Sequence, residues 1–158
     1  MAVGIALLIT ACSSTGGSAV SDRVNLGPHA DRPGVLNALR ADGAIVRLDH
    51  RRTFDDMFAT FRWNYLVDGT REQIYEYRDR AERRGVSKTI SADGDSVNGA
   101  SVRWKGTPHF YARGLVIVLT MDEGRRFNAR LQELLGPNLS PAPSIRPSPN
   151  SRMRTPKP

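Results

Sequence analysis

The stretch Leu115-Val116-Ile117-Val118-Leu119 constrains the fold more than any other part of the chain. It is apolar at every position, so neither side of it suits water. A short run of this kind reads as a central strand covered on both faces. The elements around it must supply that cover. His109–Ala112 and Leu115–Met121 pair as a hairpin around Gly114. Thr120-Met121-Asp122-Glu123 has the spacing of a capping box. The helix that follows buries Phe127, Leu131, Leu134 and Leu135, and Gly136-Pro137 stops it.

A similar order runs earlier in the chain. Phe61, Trp63, Tyr65 and Val67 alternate, the period of a strand. Asp68-Gly69 is a hairpin turn signal. Glu72–Tyr77 reads as the returning strand, and a helix over about 79–89 follows. Each half therefore runs strand, tight turn, strand, helix. Before them, Asp31 caps a short helix with Pro33 in its first turn and Gly43 at its end. Ala44–Asp49 alternates as a strand, His50–Met57 is polar and reads as loop, 91–99 is a loop, and Ala100–Trp104 a strand. The expected fold class is α+β, an antiparallel sheet with helices packed on one face.

The two ends differ from this middle. Residues 137–158 hold seven of the ten prolines, four basic residues and no acid. Too little there is apolar to bury, and the segment reads as a disordered basic tail. It also carries four of the seven surplus positive charges. At the other end, residues 2–11 contain no charged side chain. Ten apolar residues are too few to span a bilayer, which needs roughly 20, but they match the core of a secretory signal. No Lys or Arg precedes the run, which implies a start codon further upstream.

The run closes on Ile9-Thr10-Ala11-Cys12, which resembles the lipobox of bacterial lipoproteins: aliphatic, small, small, cysteine. That resemblance implies a diacylglycerol on the Cys12 sulfur and cleavage just before it. Ser13-Ser14-Thr15-Gly16-Gly17-Ser18 then has the composition of a flexible tether. The division is 1–11 signal peptide, 12–30 tether, 31–136 a single domain and 137–158 tail. Cys12 is the one cysteine, so a lipidated chain has no free thiol.

Further residues carry a wider resemblance. Leu39-Arg40 with Gly43-Ala44 and Val46, Val67-Asp68-Gly69 with Glu76-Tyr77, and Ser91-Ala92-Asp93-Gly94 are three of its pieces. Val102 and Trp104 with Pro108-His109-Phe110-Tyr111, Gly114–Leu119, and Leu135-Gly136-Pro137 complete it. Together they are similar to a group of uncharacterised bacterial lipoproteins, over about residues 36–138. Ala92 stands where that group has proline, and Thr120 where it has an aromatic residue. The resemblance implies lipidation and the strand at 72–77, and it implies no reaction.

Among chemistry-bearing clusters, Trp104, His109 and Tyr111 form the sharpest, as candidate walls of a ligand cleft. Aromatics at alternate strand positions also simply pack. Asp93–Gly99 is rich in oxygen ligands but lacks calcium-loop spacing, since Val97 and Trp104 occupy the fifth and twelfth positions. Arg78, Arg80, Arg83, Arg84 and Lys88 read as a solvated face with Asp79–Arg83 and Arg78–Glu82 pairs. His29, His50 and His109 are far apart, and Asp55-Asp56 has no evident acid partner. No metal and no cofactor is expected. The expected partners are a membrane through Cys12, and anionic lipid or wall polymer at the tail, with no nucleic acid. The expectation is a non-enzymatic envelope lipoprotein that binds a partner. A small-molecule binder using Trp104, His109 and Tyr111 is the alternative, and an envelope hydrolase the third.

Overall fold

The computed structural model of the protein describes residues 26–27 and 30–141. Cys12, His29 and residues 142–158 of the tail lie outside the described residues. The elements run α1 (Arg32–Ala41), β1 (Val46–Asp55), β2 (Thr60–Val67), β3 (Thr70–Glu76), α2 (Arg80–Ser87), β4 (Ser96–Val97), β5 (Ala100–Ser101), β6 (His109–Arg113), β7 (Val116–Thr120) and α3 (Arg125–Leu135). The main sheet has five antiparallel strands in the order β1-β2-β3-β7-β6, and β4 and β5 form a small ribbon. The class is α+β.

β7 is buried at every residue, between β3 and β6. Its alternating side chains feed two clusters. Val116 and Val118 join Tyr65, Val67, Ile74 and Tyr111 beneath α1 and α3. Ile117 and Leu119 join Phe58, Tyr75, Tyr77 and Phe110 on the opposite face. Val86 of α2 packs against that second cluster, as do Val102 and Trp104 of the 88–104 excursion. The helices therefore divide between the faces, α1 and α3 on one and α2 on the other, which corrects the expectation of helices on a single face. A sheet whose interior strands are apolar on both sides needs cover on both.

Local chemistry explains the ends of the elements. Asp31 caps α1 by accepting from the Gly34 N–H at 2.8 Å. Asp68 and Gly69 have φ of 51° and 88°, the pair of positive values that a tight hairpin needs. Asp79 caps α2 through the N–H groups of Ala81 and Glu82. Arg83 does not pair with Asp79; its Nε donates to the Gly114 carbonyl at 3.1 Å and ties α2 to the β6–β7 turn.

Four further expectations are corrected. β1 runs on through 50–55, where polarity suggested loop, because Thr53, Phe54 and Asp55 pair with β2. The strand at 100–104 shrinks to Ala100–Ser101. The capping box at 120–123 does not form, since Gly124 is the N-cap of α3 and supplies no side-chain cap. Thr120 Oγ1 instead accepts from the Asp122 N–H, and Asp122 Oδ1 from the Gly124 N–H. The domain also outruns 31–136. Leu26 and Ala30 are buried in the α1 cluster. Past α3, Asn138 Oδ1 accepts the Phe110 N–H at 3.0 Å, and the Leu139 N–H donates to the Phe110 carbonyl at 2.8 Å.

Candidate functional site

The three residues expected to share a cleft are separated by the sheet. His109 and Tyr111 are two apart on β6 and point to the α1/α3 face. Phe110 between them points the other way. Trp104 follows Phe110, with ring centroids 5.8 Å apart and edge-to-face. Each polar tip is also engaged. Trp104 Nε1 donates to the Gly94 carbonyl at 2.8 Å, and the Tyr111 hydroxyl to Asn128 Oδ1 at 3.0 Å. Asn138 Nδ2 lies 3.1 Å from His109 Nδ1. Asp93, from the oxygen-rich loop, accepts from Ser91 Oγ and the Asp95 N–H. Among the described residues, no group of three or more His, Cys, Asp or Glu side chains could hold a metal ion.

Two constellations went unnoticed in the sequence. The first is Glu72, 1% exposed on β3. It stands in one cross-strand row with Tyr65, Thr120 and His109. Thr120 Oγ1 donates to Oε1 at 3.0 Å, while Oε2 is buried without a partner among the described residues. Burial pushes its carboxyl up to about 8, against the Thr120 hydrogen bond and with help from Asp122. Tyr111 is also raised, by burial and by the nearby Glu72. The signal was register: Glu72 is two residues from buried Ile74, so it shares the inward face.

The second surrounds the start of α1. The Arg32 guanidinium lies over the Trp63 ring, 3.9 Å from its centroid. Its Nε donates to Glu76 Oε2 at 3.1 Å, and Nη1 to the Tyr65 hydroxyl at 2.8 Å. The Arg32 N–H reaches Glu76 Oε1 at 3.0 Å. This network docks the helix on β2 and β3. Both sides of it are consumed by the fold.

What remains open to solvent is the β1 side of the sheet. Ile45, Leu48, Phe54 and Phe61 are 62, 54, 53 and 40% exposed. Leu48 stands opposite Tyr65 and Phe54 opposite Phe61, so these apolar groups share the α1/α3 face. Phe54 and Phe61 meet edge-to-face at 5.5 Å, and the Arg52 guanidinium sits 4.5 Å from the Phe61 centroid. On the other face, Ile45, Arg47, Leu66, Asp68 and Gly69 line an open cleft of about 350 Å³. Asp49 holds Arg71 at 2.8 Å and His50 at 2.8 Å, and Asp55 holds Arg62 at 3.1 Å. Burial would raise the Asp49 carboxyl, but His50 and Arg71 hold it below the ordinary carboxylate value.

No helix among the described residues is long and apolar enough to cross a membrane. Compared with protein-family models, with curated proteins and with solved structures, the chain matches none.

Proposed function

We propose that the protein is a bacterial cell-envelope lipoprotein, anchored through lipid on Cys12, whose α+β domain is a non-enzymatic binding module. The observation that carries this reading is the uncharged apolar run ending in Ile9-Thr10-Ala11-Cys12, followed by a Ser/Gly tether. A signal peptidase needs small residues before the cysteine, and the acyl chains need its sulfur. Two or three chains on one residue give stable attachment where one is marginal.

The domain's chemistry agrees with a binding role. The polar groups of Trp104, His109 and Tyr111 are engaged by Gly94, Asn138 and, on α3, Asn128, and the exposed apolar and cationic groups gather along β1. The small-molecule alternative loses its support, because the cleft it needs would have to pass through the sheet. The test is incorporation of labelled palmitate, compared between wild type and Cys12→Ala. Label is expected in the wild type alone. Label in the variant, or in neither, overturns the anchor.

A further inference from the structure

We propose that the β1 side of the sheet rests on an anionic lipid surface, with Leu48, Phe54 and Phe61 entering the interface and Arg51 and Arg52 meeting phosphate headgroups. The proposal rests on the lipoprotein reading for the nearness of a membrane, and on the β1 surface for the chemistry of contact.

Lone exposed apolar residues are ordinary on a soluble surface. Here three of them share one face of two neighbouring strands, with half-buried Trp63 between Phe61 and Tyr65. An interfacial surface needs this mixture: apolar side chains to enter the acyl boundary and cations to hold the headgroups. Arg52 already lies over the Phe61 ring, which carries that cation to the same surface. Arg47, Arg51 and Arg52 ion-pair with no other described residue, while the acids at 49 and 55 on the same strand are matched by Arg71 with His50 and by Arg62.

Other occupants fit less well. A pairing strand needs an even ladder, and β1 has register shifts at Leu48/His50 and His50/Thr53. A second copy laid antiparallel on this edge would bring Arg51 and Arg52 toward their own counterparts. A phosphate polymer would satisfy the arginines and leave Leu48, Phe54 and Phe61 in water. The tether also permits the pose. From Cys12 to Leu26 the chain can reach at most roughly 50 Å. A domain of this size has a radius of gyration of about 13 Å, so any face can turn to the bilayer.

The experiment uses the full chain carrying Cys12→Ala, so that no acyl group contributes. The leader has no charged side chain, and leader and tail are the same in every variant. Cosedimentation is measured with phosphatidylglycerol–phosphatidylcholine vesicles and with phosphatidylcholine alone. The parent should prefer the anionic vesicles and lose affinity steeply with salt. Arg51→Ser with Arg52→Ser, and separately Leu48→Ser with Phe54→Ser, should each weaken anionic binding about tenfold. Variants that bind like the parent overturn the proposal. So does equal binding to both vesicles, or displacement by soluble polyphosphate with the Leu48/Phe54 variant unaffected. A dimer in light scattering that Leu48→Ser with Phe54→Ser abolishes assigns the face to a second copy instead. Palmitate labelling of the wild type fails or succeeds independently of these results.

Discussion

The two edges of the sheet are finished in opposite ways. At β6 the chain returns after α3 and closes the edge itself. Asn138 and Leu139 take both backbone groups of Phe110, and the Ser140 hydroxyl donates to the Pro108 carbonyl at 3.2 Å. At β1 nothing among the described residues returns. That edge is guarded by two irregularities of register and by arginines. Both are known ways to keep a strand from pairing with strangers. The first makes the edge part of the core, and the second leaves it available.

The sharpest way to expose the difference is to remove the same side chain from each edge. Phe110 is fully buried and Phe54 is 53% exposed. Phe110→Ala should cost about 3–5 kcal/mol, through lost transfer energy and the cavity left among Phe58, Trp104 and Ile117. Phe54→Ala should change stability by no more than about 0.5 kcal/mol. Urea unfolding of the two variants checks this. Equal costs would mean that β1 is covered in solution.

The closed half should also betray itself through pH. Burial pushes the Glu72 carboxyl up to about 8 in the folded chain, from its ordinary 4.5. Between those values the folded chain holds a proton that the unfolded chain has released. The stabilising proton is fully present below pH 4.5, and stability falls as pH rises through 8. The steepest slope is about 1.4 kcal/mol per pH unit. Glu72→Gln keeps an acceptor for Thr120 and removes the titration, so its melting temperature should lose that slope. On the open side Asp49 works in reverse: its lowered value favours the folded state above its unfolded value and withdraws that favour in acid.

The closed half was also the more legible in the sequence. Leu115–Leu119 announced a doubly covered strand because the apolar requirement acts on every residue of it. Asp68-Gly69 and Gly136 were readable because positive φ restricts residue choice. β1 beyond Asp49 was not, since a strand wet on most of its surface puts no period on its side chains. Trp104 was misplaced for a different reason. Pattern reveals that a residue is apolar and leaves open which face of a distant strand it covers. Glu72 was hidden by its charge, although its register marked it as inward. Asn138–Ser140 were hidden by the prolines around them, because what orders these residues is hydrogen bonding to one strand edge.

That short segment allows the comparison to be broken at its weakest point. Asn138 uses its whole amide: Oδ1 accepts from Phe110 and Ser140 N–H groups, while Nδ2 reaches His109 Nδ1 and the Ser140 carbonyl. Asn138→Ala leaves the Phe110 N–H without that acceptor next to a fully buried ring. The expected cost is about 1–3 kcal/mol, the penalty of an orphaned buried donor. Amide exchange at Phe110 should rise with it, while exchange along β7, paired on both sides, should follow global unfolding. Asn138→Asp retains the acceptor and loses only the donor toward His109 and Ser140, so it should keep Phe110 protected. If both variants exchange at Phe110 like the wild type, Asn138 does not close the edge, and the contrast with β1 rests on the Leu139 and Ser140 hydrogen bonds.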